Sequence, residues 1–308
     1  MPAALGFLVI GGLGVLKKVR EVQADQHLPL LAVADGKCPP GSYLRLAPLA
    51  FVSRCGGSLA RTEVPFAWMR TLALGWYVRE YGVDLAEAAI TAPASYPSLA
   101  ALFTRELRDG VRRIEAAPGA VVSPVDGTLV HHGSVQLSGA GGEVGADELV
   151  IEQVKGMAYP LVDLLGEMPD GLAAVAAAET ACSEGRRLHY AVLYLAPGNY
   201  HRVHAPADLE LTQRRHFQGG RLPLRPKYLQ AFPSLFCDNE RVVLNGSWQN
   251  GFFALVAVGA LNVGSITLAF DDEMRDRELL RKAQASWWSR VTGRAKVAER
   301  MYASLDTD

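Results

Sequence analysis

The sequence is poor in cysteine and has no closely spaced cysteine pair. Its 308 residues include four cysteines, Cys38, Cys55, Cys182 and Cys237, and no C-x-x-C motif. Such spacing excludes a dense disulfide framework and a zinc-finger module, so we interpret these residues as isolated thiols. A Cys38–Cys55 bridge stays open if that region lies in an oxidising compartment.

A strong excess of charge of either sign is also lacking. The chain carries 31 Lys and Arg against 32 Asp and Glu, which gives a formal net charge of −1. This balance argues against a strongly basic nucleic-acid-binding protein, and we predict no nucleic-acid partner. Hydrophobic residues make up 49% of the chain, which is enough for one large or two medium globular domains.

Charge is absent from the first 16 residues, and "KKVR" follows them directly. A membrane-spanning helix needs about 20 apolar residues, with about 17 as the lower limit. A secretory signal would carry its positive charge before the apolar segment, and no cleavage site is visible. We therefore predict a short membrane anchor within residues 1–20, with a buried first helix as the alternative.

The periodicity predicts helices first and strands afterwards, an α+β fold. Pro65 opens and Gly82 closes a helix whose mostly apolar face includes Phe66, Met69, Trp76 and Tyr77. That face either packs in the core or lies on a membrane. A second helix is expected to begin at Ser98 as its N-cap. These helices form an N-terminal region over residues 21–118.

Residues 119–270 are rich in strand-forming sequences and form the predicted antiparallel β core. In "AVVSPVDGTLVHHG" we predict a strand, a tight turn around Asp126 and a second strand. Further predicted strands are "LVIEQV", "LHYAVLYL", "ERVVL", "GFFALVAV" and "LNVGSITLAF". For residues 271–308 we predict a charged helical tail and no further strand.

Two histidines, His201 and His204, stand in "YLAPGNYHRVHAP". On a strand or loop, residues three apart point in different directions, and no third ligand is evident, so we predict no metal site. A metal-dependent hydrolase built on this pair is nevertheless one alternative function. Asp126, a histidine and a serine could instead form a triad in which the imidazole accepts the serine proton. No G-x-S-x-G motif is present.

Several motifs together resemble the phosphatidylserine decarboxylase family, most closely its mitochondrial branch. In order they are "SRCGGSLARTEVPFAWMR", "SYPSLAALFTREL", "VVSPVDGTL", "EQVKGMAY", "YLAPGNYHRVHAPAD", "RRHFQGG" and "LFCDNERVVLNGSWQNGFFALVAVGALNVGSITLAF". The resemblance implies a proenzyme that cleaves itself before a serine and converts that serine into a pyruvoyl group. The pyruvoyl group is then the electron sink for converting phosphatidylserine into phosphatidylethanolamine and CO₂.

The resemblance assigns roles to three residues. Asp126 in "SPVDG" and His204 match the aspartate and histidine that activate the serine for cleavage. His201 matches the residue that serves decarboxylation, as a proton donor. An anionic phospholipid substrate, a membrane partner and the mitochondrial inner membrane follow from the same resemblance, as does a small subunit cut from the same chain.

One family motif is missing from these 308 residues. The resemblance implies a Gly-Ser-Thr at the processing site, and the sequence contains none. We expect a truncated or mis-spliced gene product that holds the large-subunit part, so the pyruvoyl group would be absent from the chain as written. The alternatives are a non-processing pseudoenzyme that binds membrane lipids, and cleavage before Ser265 in "NVGSI" as a substitute.

A basic stretch follows the histidines and includes Arg202, Arg214 and Arg215. Such a stretch is usually a solvated face. Because the implied substrate is an anionic lipid, these three arginines are candidate contacts for its headgroup, each worth about 1 kcal/mol near an anionic bilayer.

Overall fold

The computed structural model describes residues 59–114, 119–137, 149–154, 157–166, 188–219, 235–260, 266–274 and 297–305. Within these ranges helices combine with antiparallel sheets, which confirms the predicted α+β class. The predicted anchor, the Cys38–Cys55 pair and Ser265 lie outside the described residues. Among the described helices, none is both long and apolar enough to cross a bilayer.

Helix α1, Ala67–Tyr81, confirms the helix predicted between Pro65 and Gly82. Gly82 ends it in the left-handed region at φ 62°, and its N–H donates to the Val78 carbonyl. The buried side of α1 carries Leu74 and Tyr77, whereas Phe66 and Met69 of the predicted apolar face are exposed. The prediction that this whole face packs in the core is therefore wrong for the described residues. Only the C-terminal part of the face is buried.

Helix α2, Leu99–Phe103, begins as predicted at Ser98. The Ser98 hydroxyl oxygen accepts a hydrogen bond from the Ala101 N–H at 3.2 Å, which satisfies one of the free donors of the first turn. The short helix buries Leu102 and Phe103. Phe103 thereby reaches the loop that carries the two histidines.

The strands form three antiparallel sheets. Strands β1 (Thr128–Ser134) and β5 (His189–Tyr194) pair with each other. Strands β2 (Gln136–Leu137), β3 (Leu149–Val154) and β4 (Met157–Pro160) form the second sheet, which helix α3 (Leu161–Leu165) follows. The third sheet has the order β8-β7-β6-β9. It contains β6 (Glu210–Phe217), β7 (Arg241–Trp248), β8 (Gly251–Val258) and β9 (Val297–Leu305), with helix α4 (Leu235–Asp238) before β7.

Two predicted strands differ from the structure. Residues 119–127 form no strand before the Asp126 turn; the Val122 N–H donates instead to the Pro206 carbonyl at 2.8 Å. Pro124 has no N–H to donate to a ladder, which favours irregular backbone there. Residues 266–270, the described end of "LNVGSITLAF", are also irregular.

Strand β9 contradicts the prediction that no strand follows residue 270. It pairs antiparallel with β6, with Leu211 opposite Leu305 and Phe217 opposite Val297. The sequence "VAERMYASL" has many helix-forming residues, but an open edge of β6 offers it a row of hydrogen-bonding groups. Tertiary pairing has overridden the local propensity.

The four-stranded sheet separates two hydrophobic clusters. Along β7, Val243 belongs to one cluster, whereas Val242 and Leu244 belong to the other. Successive side chains of a strand point to opposite faces, so both faces of β7 are buried. This explains why Val242, Val243 and Leu244 of "ERVVL" form a continuous apolar run rather than alternating with polar residues.

Buried charges in β6 correct the interpretation of the basic stretch as a solvated face. Arg214 is fully buried, and its guanidinium pairs with Asp271 at 2.9 Å and Glu273 at 2.8 Å. Arg215 is 7% exposed and directs its guanidinium to the Leu165 carbonyl. Buried cations of this kind need internal partners, and these partners hold both arginines inside the protein. Neither is placed to contact a lipid headgroup.

Candidate functional site

The site forms at one end of the β1–β5 pair. Thr128, the first residue of β1, lies opposite Tyr194, the last residue of β5. Because the strands are antiparallel, the Asp126 turn before β1 and the histidine loop after β5 meet at the same end. The His204 N–H donates to the Pro124 carbonyl at 2.9 Å, which joins the two segments.

The loop before the histidines is held from several sides. The Asn199 side-chain oxygen accepts from the Ala196 N–H at 2.6 Å, a local bond typical of asparagine in turns. The buried Arg105 guanidinium donates to the Gly198 carbonyl at 3.1 Å and to the Asn199 carbonyl at 3.3 Å. From α1, the Tyr77 hydroxyl donates to a carbonyl of the same loop at 2.8 Å. These contacts position the following histidines.

His201 is fully buried, with its ring 3.7 Å from the ring of Phe103, centroid to centroid. Its Nδ1 lies 2.8 Å from the Asn199 carbonyl oxygen. A carbonyl can only accept, so Nδ1 carries the proton in this bond. In the neutral ring, Nε2 is then the nitrogen that can accept a proton, and in the charged ring it is one that can donate.

His204 is exposed overall, although its ring stacks on Tyr200 with centroids 5.6 Å apart. Its Nε2 lies 2.9 Å from the Tyr200 hydroxyl. Partial burial lowers the pKa of His204, and the Arg202 cation lowers it further, whereas the Asp126 carboxylate raises it. The imidazole is therefore held neutral more readily than a free histidine and can act as a base.

Asp126 is bound by an arginine. Arg112 Nε donates to Asp126 Oδ2 at 2.7 Å, and a second guanidinium nitrogen lies 2.7 Å from the same oxygen. That second nitrogen also donates to Glu87 Oε2 at 2.6 Å. These bonds raise the pKa of Arg112, and the bond from Arg112 is the main cause of the lowered pKa of Glu87. Among the described contacts, Asp126 is bonded to Arg112 and not to His204.

A cavity of about 200 Å³ opens beside this arrangement. Its charged lining combines three carboxylates with two guanidinium groups: Asp84, Glu87, Asp126, Arg105 and Arg112. The loop residues Ala196, Gly198, Asn199 and Tyr200 also line it, whereas neither His201 nor His204 is a lining residue. Acidic and basic groups in one cavity suit a ligand that carries both signs of charge.

The structure thus brings together some of the predicted residues and separates others. Asp126, His201 and His204 lie at one end of the β1–β5 pair. Arg202 lies nearby but is engaged by Glu106 at 3.0 Å and by the Thr104 carbonyl at 2.8 Å. Arg214 and Arg215 lie in β6, which follows the histidine loop in the sequence, and both side chains are buried. In the part of the chain that is described, no cluster of three His, Cys, Asp or Glu side chains could hold a metal ion.

Sequence reasoning missed four residues of the site: Glu87, Arg105, Arg112 and Tyr200. Tyr200 adjoins His201 and could have been noticed from its position in "NYHRVH". The other three come from the helical N-terminal region, where no motif connects them with the β core. Only the chain's path brings them to Asp126 and the histidine loop.

Comparison with known proteins decides the family. A family model described as phosphatidylserine decarboxylase matches residues 99–287. The chain belongs to the phosphatidylserine decarboxylase family. The matched range includes the Asp126 turn, the histidine loop and strands β1 to β8, whereas α1 precedes it. The resemblance drawn from the motifs is confirmed.

Relatives in the phosphatidylserine decarboxylase family come from plants, animals and bacteria. The "phosphatidylserine decarboxylase proenzyme 1, mitochondrial" of Arabidopsis thaliana is 38% identical, over 78% of this chain and 57% of its own length. The mitochondrial proenzyme of Caenorhabditis elegans is 39% identical, over 79% of this chain and 58% of its own. The proenzyme of Stutzerimonas stutzeri is 33% identical, over 71% and 66% respectively. The chain thus spans less than two thirds of these relatives.

Proposed function

We propose that this chain provides the acid–base machinery of a phosphatidylserine decarboxylase, which converts phosphatidylserine into phosphatidylethanolamine and CO₂. The names of the relatives support the reaction class. The observation that carries the proposal is the junction of the Asp126 turn with the histidine loop through the 2.9 Å bond from the His204 N–H to the Pro124 carbonyl. The mitochondrial inner membrane is the proposed location, because several relatives are named mitochondrial and the substrate is a membrane lipid.

His204 and Asp126 are assigned to self-cleavage. A peptide carbonyl is a poor electrophile, so the attacking serine hydroxyl has to lose its proton to a nearby base. His204 takes that proton at Nε2, where the serine hydroxyl replaces the Tyr200 hydroxyl as the partner, and returns it to the departing amide nitrogen. Asp126 orients the imidazole and stabilises its charged form. The lowered pKa of His204 supports this role because it keeps the ring neutral before the proton arrives.

His201 is assigned to the decarboxylation that follows. Its Nδ1–H is fixed on the Asn199 carbonyl, and Phe103 packs against the ring. The ring can therefore move a proton only through Nε2, and its burial limits exchange with bulk water. A positioned donor of this kind contributes about 10²- to 10⁴-fold to a rate.

A pyruvoyl group fits the acid–base residues of the site but not the described serines. When formed, it supplies a carbonyl that accepts the electron pair left by departing CO₂. Asp126, His204 and His201 are the residues that would surround it. Two Gly-Ser pairs are described, and Ser134 of one contacts His189 at 3.2 Å while Ser247 of the other lies in β7 opposite Phe252. We propose that the reacting serine belongs to a Gly-Ser-Thr segment, which residues 1–308 do not contain.

The experiment joins a Gly-Ser-Thr segment of the family to the C-terminus of this chain. We expect the fusion to cleave itself, to gain a carbonyl that reacts with a hydrazine reagent, and to release CO₂ from phosphatidylserine vesicles. In this fusion, His204→Ala blocks cleavage. His201→Ala permits cleavage but lowers CO₂ release by about 100-fold or more.

Two results would contradict the proposal. If His204→Ala and His201→Ala affected cleavage equally, the separate roles proposed for His204 in cleavage and His201 in decarboxylation would be contradicted. Complete absence of cleavage in a folded fusion would instead favour a non-processing member of the family. His189→Ala is the matched control, because this histidine lies in β5 outside the proposed machinery, and both steps should persist.

We also propose that the N-terminal end of α1 contacts an anionic bilayer. Phe66 is 58% exposed, and Trp68 and Leu72 are each 63% exposed. Arg79 is exposed on the same helix, and a cation near an anionic bilayer contributes about 1 kcal/mol. A lipid substrate requires the protein to approach the membrane, and aromatic side chains are favoured at the interface.

Co-sedimentation of the full chain with phosphatidylserine-containing vesicles tests this contact. We expect the Trp68→Ser/Leu72→Ser variant to lower the vesicle partition constant about tenfold or more, because two apolar side chains no longer enter the interface. Thr71→Ala, at an exposed position on the same helix, should bind like the unchanged chain. Unchanged binding of the double variant would mean that this face contacts something other than lipid.

A further inference from the structure

The contact between Arg112 and Asp126 has a geometry that goes beyond a simple surface ion pair. Both guanidinium nitrogens that approach Asp126 converge on Oδ2. Among the described contacts, Oδ1 accepts no bond, and neither does Nδ1 of His204, whose Nε2 faces Tyr200. The two atoms that a carboxylate–imidazole pair would use are therefore the two that remain available.

Arg112 is itself fixed from the opposite side. Its terminal nitrogen donates to Glu87 at 2.6 Å. The Glu87 backbone is tied to the segment that leads to Arg112, because the Arg108 N–H donates to the Glu87 carbonyl at 2.9 Å. A bridge between Ala88 and Leu107 continues this pairing. The guanidinium thus stands between an anchored carboxylate and the Asp126 turn.

Asp126 needs such support, since its side chain is 31% exposed. A partly exposed aspartate otherwise populates several rotamers, and the orientation required of a triad member would be lost part of the time. The turn backbone is held by the bond from His204 to Pro124 and by the Ser123 hydroxyl, which donates to the Val125 carbonyl at 2.7 Å. The side chain is held by Arg112.

We propose that Arg112, anchored by Glu87, is a positioning residue that grips Oδ2 of Asp126 and so aims Oδ1 at the imidazole of His204. This inference rests on the proposed role of Asp126 and His204 in self-cleavage. Arg112 does not touch the reacting atoms and acts only through Asp126. Lysine could not replace it fully, because a single ammonium cannot hold both carboxylates in the same fixed geometry.

The decisive measurement does not need activity. The pKa of His204 is followed by NMR of the ¹³C-labelled histidine ring in the 308-residue chain, and His204→Gln assigns its signal among the seven histidines. Among the described residues, the charged or titratable groups beside this ring are Asp126, Arg202 and Tyr200. Asp126→Asn should lower the pKa of His204, since the carboxylate raises it.

The test compares the decrease in the pKa of His204 caused by Asp126→Asn in the presence and in the absence of Arg112. If Arg112 aims Asp126 at His204, the drop caused by Asp126→Asn is smaller in an Arg112→Gln background, because the carboxylate is no longer held towards the ring. If Arg112 only neutralises the carboxylate, the drop is larger in that background, because the field of Asp126 is less screened. A drop of equal or larger size therefore overturns the inference.

Matched variants complete the experiment. Arg113→Gln removes the same charge from the adjacent exposed position and should leave the drop unchanged. Arg112→Lys should give an intermediate drop, and it replaces Arg112→Gln if the latter does not fold. In the Gly-Ser-Thr fusion, Arg112→Gln should slow cleavage about 10- to 100-fold and add no further loss to Asp126→Asn. A fusion that never cleaves would refute the proposed function while the NMR comparison still decides the role of Arg112.

Discussion

At the residue scale, the site depends on side chains whose partners are backbone atoms. Tyr77, Arg105 and His201 each bond to a carbonyl of the loop between Ala196 and Asn199. Such bonds fix the backbone of a loop that has no ladder partner. The loop can therefore hold the histidines in place although it is neither helix nor strand.

Gly198 is the position where this packing is tightest. A Cβ there would overlap the Tyr81 carbonyl oxygen at the end of α1. We expect Gly198→Ala to lower the free energy of unfolding by about 1–3 kcal/mol, because the loop and helix end have to separate. Urea denaturation measures the change.

Gly75→Ala provides the matched control for that substitution. Apart from its chain neighbours and the adjacent backbone of α1 itself, no atom lies within 4 Å of a Cβ built at Gly75, which is in the interior of α1. Alanine should raise the free energy of unfolding by about 0.5–1 kcal/mol through its higher helix propensity. If Gly198→Ala and Gly75→Ala changed the free energy of unfolding in the same way, close packing at Gly198 would not explain the effect of Gly198→Ala.

The pKa of His204 also predicts a pH dependence. Burial and then Arg202 lower this pKa, so folding favours the neutral ring. The resulting stability is fully present above the unfolded-state pKa of about 6.5 and is lost as the pH falls through the lower folded-state value. Below pH 6.5, the unchanged chain should lose stability more steeply than His204→Gln.

Arg202→Gln tests the second cause of that shift. Removal of this cation should raise the pKa of His204, measured by NMR, and should flatten the acid loss of stability. Arg108→Gln, at an exposed position outside the His204 surroundings, is the control and should change neither. A fall in the pKa on removal of Arg202 would contradict the electrostatic explanation.

At the scale of elements, the edges of the sheets decide how the chain is organised. Strand β6 lies between β7 and β9, so both of its edges are paired. Without β9, one row of its N–H and C=O groups would lack partners from this sheet. The last described strand therefore supports a β6 that also carries the buried Arg214 and His216.

Arg300→Pro tests that support, because proline removes an N–H and disturbs an extended ladder. Arg300 lies opposite Arg214 in the β6–β9 register. We expect amide hydrogen exchange in residues 210–217 to accelerate about tenfold or more, which corresponds to a local loss of about 1.4 kcal/mol. Arg300→Ala keeps the N–H and should exchange like the unchanged chain. Unaltered exchange in the proline variant would mean that β6 does not depend on β9.

At the scale of the whole molecule, proton-moving residues and the electron sink are separable requirements. Asp126, His201 and His204 can move protons but cannot accept the electron pair left by CO₂. The sink depends on a serine in a suitable cleavage sequence, and the 308 residues contain no Gly-Ser-Thr. Assembly of the acid–base site therefore does not by itself imply turnover.

The 308-residue polypeptide should accordingly remain uncut. Its intact mass should equal that of the translation product, apart from removal of the initiator methionine. No hydrazine-reactive carbonyl should form, and no CO₂ should be released from phosphatidylserine vesicles. Turnover by this polypeptide, with or without cleavage before Ser265, would show that the chemistry resides elsewhere than we propose.

Local pattern was enough to predict the elements whose signals are short-range. Pro65 and Gly82 bracket α1, and Ser98 caps α2. The segments rich in Val, Leu and aromatic residues are the strands β3, β5, β7 and β8. These elements were predictable because capping, backbone conformation and residue shape act within a few positions. The motifs likewise sufficed for the family, since several long matches occurred in a fixed order.

Only the tertiary structure decided which residues meet and which are buried. Arg214 and Arg215 looked like a solvated basic face, yet Asp271, Glu273 and a backbone carbonyl hold them inside. Residues 297–305 looked helical, but the open edge of β6 made them a strand. Arg112 had no motif at all, and it becomes part of the site only because the chain brings it between Glu87 and Asp126. Such contacts depend on long-range packing, whose free energy is not encoded in any single stretch of sequence.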